Sequence, residues 1–279
     1  MATPTEQKVA LITGASSGIG KTAALRLFDA GFLVYAVARR TDRMQDLRDH
    51  GIKTLVMDVT DEQSTDAGVS AILGEAGHID VLVNNAGYGS YGAVEDVPLD
   101  EARRQFEVNL FGAARLIQLV LPTMRTRGSG TIINITSMGG KIHTPFGAWY
   151  HGTKFALEAV SDCLRIETKP FGINVVVIEP GGIRTEWSSI AAEHLRATSG
   201  HGAYALQAEA VATAFTSPAM QKRSSPPDVI AKTIVKAATA RRPKTRYAVG
   251  SGAKPLIFLR RLLPDRAYDA FISRASGIR

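Results

Sequence analysis

Tyr150 and Lys154 stand four residues apart in Tyr150-His151-Gly152-Thr153-Lys154, a spacing that sets both side chains on one face of a helix. A free phenol titrates near ~10 and is a poor base at neutral pH. An ammonium group beside it favours the phenolate. The pair is then expected to give a proton to a developing alkoxide, or to take one from an alcohol. Tyr-x-x-x-Lys by itself is a common coincidence, so position decides its worth. Ser137-Met138 closes a predicted strand, which places Ser137 to hydrogen-bond the oxygen of a reacting carbonyl. Alone, Ser137 would read as a turn or cap serine.

A second constellation lies near the start of the chain. Thr13-Gly14-Ala15-Ser16-Ser17-Gly18-Ile19-Gly20 falls between an apolar run and a helical pattern. In that setting Gly14 permits a tight turn, Gly18 lets backbone approach a pyrophosphate, and Gly20 lets helix and strand pack closely. Free N–H groups at the helix start would face the phosphates. A dinucleotide site that takes NAD carries an acidic residue about 20 residues further on. Here the sequence reads Ala38-Arg39-Arg40. No carboxylate is present to repel a 2′-phosphate, and guanidinium groups pair with one bidentately. The cofactor expected is NADP(H), with Arg39 the stronger contact; a solvated basic turn is the bland alternative. Asp58-Val59 would end the third strand, where Asp58 is either an acceptor for the adenine amino group or an ordinary strand-end carboxylate. Asn84-Asn85-Ala86-Gly87 ends the fourth, a small polar turn suited to close cofactor approach.

The elements that must position these residues alternate. Strands are predicted at 8–13, 32–38, 54–57, 79–84, 131–136, 174–179 and 246–249. Helices are predicted at 18–30, 61–76, 99–125 (with a break near Gly112), 150–169 and 228–240. Strands separated by helices of this length make βαβ units and a parallel sheet, so the fold class is α/β, a Rossmann-type doubly wound sheet of about seven strands in a single domain. The stretch 187–227 has no strand signal and reads as an excursion beside the sheet.

Taken together, TGASSGIG (Thr13–Gly20), Asp58-Val59, NNAG (Asn84–Gly87), Asn109, Ser137, Tyr150-x-x-x-Lys154 and Pro180-Gly181 resemble the short-chain dehydrogenase/reductase family, in its order and spacing, over roughly residues 8–250. The resemblance implies Tyr150 as acid/base and Lys154 as the group that lowers its pKa and holds the nicotinamide ribose. It implies Ser137 as the anchor of the substrate oxygen and Asn109 in a water-mediated proton relay. Spacing alone would leave Asn109 a polar residue inside a helix. The resemblance also implies that Asn85, Ala86, Gly87, Pro180, Gly181, Ile183 and Thr185 touch the cofactor, that the region after Thr185 is a substrate lid, and that the protein is a homodimer or homotetramer. The segment 137–187 is similar to the branch with 17β-hydroxysteroid, retinol and acyl-dihydroxyacetone-phosphate reductases. That branch suggests an apolar carbonyl or secondary-alcohol substrate, with Met138, Phe146, Trp149 and Trp187 as pocket walls.

Composition sets the outer bounds. With 45% hydrophobic and 21% charged residues, the 279-residue chain can bury a core, which argues against disorder. A single cysteine, Cys163, excludes an internal disulfide; with apolar neighbours it reads as a packing thiol, and the compartment expected is the cytoplasm. The leading MATPTEQK has no apolar signal core and no run reaches the length of a membrane span. The six histidines show no metal-ligand spacing, so no metal is expected; His151 is read as a surface residue on the far side of its helix from Tyr150. The net charge of +7 is concentrated at the end. Residues 241–279 carry ten basic and two acidic residues, leaving the rest of the chain at −1. That distribution argues against nucleic-acid binding. A catalytic domain is expected over 1–253. The mixed apolar and basic extension 254–279 would pack on its own or a partner subunit, touch an anionic membrane surface, or hang free. A non-catalytic NADP(H)-binding regulator is the alternative function.

Overall fold

A computed structural model describes residues 7–278. The first six residues and Arg279 lie outside it, and with them most of the leading segment and one charge of the tail. Seven strands form one sheet in the order β3-β2-β1-β4-β5-β6-β7, and every pairing is parallel. They are β1 (Val9–Thr13), β2 (Leu33–Ala38), β3 (Lys53–Val56), β4 (Val81–Asn84), β5 (Gly130–Ile135), β6 (Ile173–Pro180) and β7 (Arg246–Val249). The predicted strands all appear, with ends displaced by at most two residues. Apart from Gly130 at the start of β5, strands β1, β4 and β5 are buried throughout, as continuous Val/Ile/Leu runs require when both faces are covered.

One face packs on α1 (Gly18–Asp29), α2 (Gln45–Asp49) and, later in the chain, α10 (Asp228–Thr239). The other packs on α3 (Glu62–Ala76), α5 (Gly112–Arg127) and α6 (Ala148–Thr168). The chain works outward from β1 to β3, then returns so that β4 pairs with β1 on its other side. This reversal leaves a crevice beyond the carboxyl ends of β1 and β4, the place where such sheets bind ligands.

The long helical pattern at 99–125 resolves into α4 (Leu99–Phe106), a wide π-type turn (Glu107–Phe111) and α5. The interruption is a widened turn centred on Asn109, and Gly112 continues the helix. Gly112 serves close packing: a Cβ there would fall 2.6 Å from the Val59 carbonyl oxygen. The excursion is helical, as α7 (Trp187–Ser199), α8 (Ala205–Thr216) and α9 (Pro218–Arg223). Backbone bonds between Arg184 and Ser225 (2.9 Å) and between Ser225 and Gly182 (3.0 Å) tie its two ends together.

The basic extension forms α11 (Ala253–Leu262) and α12 (Asp265–Ala275), which pack on their own chain. Ile257, Tyr268 and Ile272 close over Ile142 in a small separate core. Among the described residues no helix is long and apolar enough to cross a membrane.

Candidate active site

The carboxyl ends of the strands open onto one cleft of about 920 Å³. Its floor is built from two turns sewn together. Thr13 Oγ1 accepts from the amides of Asn85 (3.0 Å) and Ala86 (2.9 Å), while Asn85 Nδ2 donates to the carbonyls of Thr13 (2.9 Å) and Gly14 (3.3 Å). Gly14 has φ of +66°, and a Cβ there would stand 2.9 Å from Ala86 Cα. A Cβ on Gly20 would stand 2.4 Å from the Gly14 oxygen. Gly14, Ser16, Ser17, Gly18 and Ile19 line the cleft, whereas Gly20 lies behind the turn and serves the packing of helix on strand. Ser17 caps α1 in extended conformation without a side-chain bond to the first turn, and that turn holds no acidic residue. Its amides are therefore available to an anion.

At the end of β2, Arg39 and Arg40 line the cleft with exposed side chains, and among the described residues neither makes an ion pair. Asp58 and Val59 line it at the end of β3. One Asp58 oxygen accepts from its own turn, from Thr60 N (3.0 Å) and Thr60 Oγ1 (2.8 Å). Gly87, Pro180, Gly181, Ile183 and Thr185 complete the wall. Thr185 comes close to the glycine turn, since a Cβ on Gly18 would meet its Cγ2 at 3.2 Å. A glycine turn along the cleft and an uncapped helix start fit the pyrophosphate of a dinucleotide.

Tyr150, Lys154 and Ser137 meet at the bottom of the cleft. Ser137, whose Oγ accepts from Gly139 N at 2.9 Å, lies near enough to the Tyr150 hydroxyl to favour its ionised form. Lys154 Nζ donates to the Ile135 carbonyl (3.0 Å) and sits 5.9 Å from the centre of the Tyr150 ring. Among the described residues that carbonyl is its one hydrogen-bond acceptor, so two N–H groups remain for a ligand. Both side chains are buried, and burial dominates both titrations. It pushes the Tyr150 phenol up to about 12, with the Ser137 hydroxyl opposing, and pulls Lys154 down to about 8, with the Glu158 charge opposing. In the chain by itself, burial is the largest influence on the phenol.

Asn109 lies behind the cleft wall. Its Oδ1 accepts from Tyr88 N (3.0 Å), and its Nδ2 donates to Tyr88 O (2.9 Å) and Thr153 Oγ1 (3.1 Å). A Cβ on Gly87 would touch both Asn109 Oδ1 (3.0 Å) and Lys154 Nζ (3.6 Å). Asn109 thus pins the loop after β4 close to Lys154.

The other end of the cleft is aromatic. Tyr91 is buried against Phe215 (centroids 5.1 Å), Trp187 (5.7 Å) and Tyr150 (5.9 Å), and Trp187 lies 5.2 Å from Tyr150. Met138, Ile142, Ile190 and Met220 extend this wall. Of the four expected pocket walls, Met138 and Trp187 are in place. Phe146 turns instead to Tyr204 (6.3 Å), and Trp149 lies outside the lining.

Two further expectations fail. Cys163 is exposed, because its place on α6 falls outside the buried face. His151 is buried, with Nδ1 at 2.8 Å from the Gly139 carbonyl and Nε2 at 3.1 Å from the Thr144 amide. Adjacent residues on a helix are only about 100° apart, and positions 151, 154, 158 and 161 form one inward stripe. That spacing was the available signal for His151 and for the buried Glu158. Tyr91 and Phe215 gave none, since tertiary packing alone brings them here.

The short chain dehydrogenase family model matches residues 8–195. The chain belongs to that family. Dehydrogenase/reductase SDR family member 7B of Danio rerio is 34% identical over 283 residues, covering 97% of this chain and 86% of the relative. The NADPH-dependent 3-dehydrocapnine reductase of Ornithobacterium rhinotracheale is 34% identical over 278 residues, covering 94% and 95%. A short-chain dehydrogenase from Streptomyces avermitilis superposes with a TM-score of 0.80 at 33% identity, with 97% of each chain covered. As a short-chain dehydrogenase/reductase, the protein is an oxidoreductase acting on CH–OH or carbonyl groups.

Proposed function

We propose that the protein is an NADP(H)-dependent reductase of apolar ketones, able to run in reverse on secondary alcohols, with Tyr150 as general acid/base. The observation that carries this is the hydroxyl pair Ser137–Tyr150 at the floor of a cleft whose other end is aromatic and aliphatic. A bound nicotinamide supplies or takes the hydride. Burial keeps the Tyr150 phenol protonated, so it holds its proton ready for a carbonyl oxygen that gains charge. Ser137 orients that oxygen. The two free N–H groups of Lys154 suit the hydroxyls of a ribose, and Asn109 holds the neighbouring backbone.

Arg39 and Arg40 favour the 2′-phosphate, while Asp58, Val59, Asn85, Ala86 and Gly87 flank the adenosine and nicotinamide ends. Helices α7–α9 act as a substrate lid that carries Trp187 and Phe215 to the cleft. NADPH use agrees with the relative named an NADPH-dependent 3-dehydrocapnine reductase. Cytoplasmic residence, a homodimeric or homotetrameric assembly, and a catalytic domain ending near residue 253 belong to the same reading.

Following NADPH absorbance over steroid, retinoid and long-chain acyl ketones tests it. Turnover with NADPH is expected, and Arg39→Ala should reduce the preference for NADPH over NADH by about tenfold to a hundredfold, the loss of a charged hydrogen bond. Tight NADPH binding with no ketone consumed across the panel would favour a non-catalytic NADP(H)-binding protein instead.

A further inference from the structure

We propose that His151 and the C-terminal Tyr268 are positioning residues that clamp the segment 138–147 from opposite sides and so hold the substrate wall of the cleft against α6. The segment joins Ser137 to the start of α6 and carries Met138 and Ile142, both part of the cleft lining. Its own backbone bonds are local, Lys141 N and Ile142 N to Met138 O (2.9 and 3.0 Å) and Gly147 N to Thr144 O (3.4 Å), so they do not tie the segment to the rest of the fold.

The imidazole of His151 bridges its two ends. A backbone N–H can only donate, so the 3.1 Å contact from Thr144 N makes Nε2 the acceptor. Nδ1 then carries the proton and donates to the Gly139 carbonyl at 2.8 Å. A second ring proton would oppose the Thr144 amide. Burial favours the same neutral form, with the Gly139 carbonyl opposing and His143 adding to it; Tyr91 and Tyr150 face the ring as well. On the other side Tyr268 is fully buried, donates from its hydroxyl to the His143 carbonyl at 3.2 Å, and meets the His143 ring edge-on at 4.9 Å. Ile142 is locked between Tyr268, Ile257 and Ile272. His143 Nε2 lies 3.1 Å from Asp269 Oδ1. Phe146, held at φ of +64°, shows a path imposed by these contacts and by the bond from Gly92 N to its carbonyl (2.9 Å). The second helix of the basic extension is thereby the back support of the substrate wall.

The inference rests on reading this cleft as a carbonyl site, so its test has a readout that needs no turnover. Hydrogen exchange of the 138–147 amides is measured in the full chain and in His151→Ala, His151→Asn and Tyr268→Phe. The asparagine amide keeps a donor near the Gly139 carbonyl, and the phenylalanine keeps the ring. Exchange there is expected to rise by about tenfold or more in His151→Ala and a few-fold in the other two, with the sheet amides unchanged. On the best ketone of the panel, KM should rise by about tenfold in His151→Ala and be partly rescued in His151→Asn, with kcat less affected and NADPH affinity within about twofold. Should His151→Ala fail to fold, His151→Asn and Tyr268→Phe decide. Faster exchange in a protein that reduces no ketone would uphold the clamp and sink the carbonyl reading. Unchanged exchange in folded variants, or a kcat loss with KM unmoved, would overturn the clamp.

Discussion

Helix α6 buries charge twice within three turns, and does so in opposite ways. At its start, Tyr150 is buried beside the Ser137 hydroxyl and Lys154 is buried with the Ile135 carbonyl as its acceptor. Further along, Glu158 is equally buried but accepts from Thr136 Oγ1 (2.6 Å) and Arg246 (2.8 and 3.0 Å), and pairs with Lys141 (3.0 Å). Arg246 also reaches Asp162 at 2.6 Å. The titrations follow. Burial moves Tyr150 and Lys154 towards neutrality. Burial also works against the charge of Arg246, but its bonds to Asp162 and Glu158 outweigh that and raise its pKa. The same desolvation stores reactivity where it is uncompensated and ties β7 to α6 where it is compensated.

The largest expected effect separates the two regions outright. Tyr150→Phe should lower kcat/KM by about 10³-fold, within the usual worth of a positioned acid, while NADPH affinity and melting temperature stay near wild type, because the ring and its aromatic contacts are kept. Chemical denaturation beside steady-state kinetics checks both halves. A large stability loss would place Tyr150 with the structural charges. The converse change is Arg246→Met, which strands Glu158 with Lys141 and leaves the buried Glu179, already pushed up by burial and by the Glu158 charge, without its 3.4 Å cation. It should cost about 2–4 kcal/mol of unfolding free energy. Adding Glu158→Leu should recover much of that. If the single variant is as stable as wild type, the contrast between the two regions is wrong.

Sequence patterning made the chemistry legible where backbone demands dictate residue type. Gly14 is needed at positive φ, Gly20 where helix meets turn, and the apolar strands where both faces are covered, so the sheet and the glycine turn could be read directly; Ser137, Tyr150 and Lys154 were expected from their order along the chain, and the fold brings them to one cleft. Other features depend on what lies across space. Whether a lysine acidifies a phenol turns on burial and distance, which spacing does not contain. The amphipathic pattern of 254–279 promised a buried face but not that Ile142 would cover it. Tyr91 sits in an irregular loop with no period to mark it as the hub of the aromatic wall. His151, by contrast, was within reach of helical spacing.

The smallest effect sharpens the comparison by pH. Lys154 is held near about 8 in the folded chain, against ~10.4 for an exposed lysine. Below pH 8 the lysine is protonated folded and unfolded alike, and the folded state bears the full cost of burying an ammonium. Between about 8 and 10.5 the unfolded chain keeps the proton that the folded chain has released, so this group's contribution to stability improves as pH rises. Wild type should therefore gain on the order of 2 kcal/mol on Lys154→Met across that window, read by urea denaturation of the cofactor-free protein. Ligand affinity should move the other way, since NADPH contacts made by the ammonium are lost as Lys154 discharges. Parallel pH curves for wild type and Lys154→Met would mean that Lys154 keeps its charge when buried, and that it belongs with Arg246 among the compensated groups.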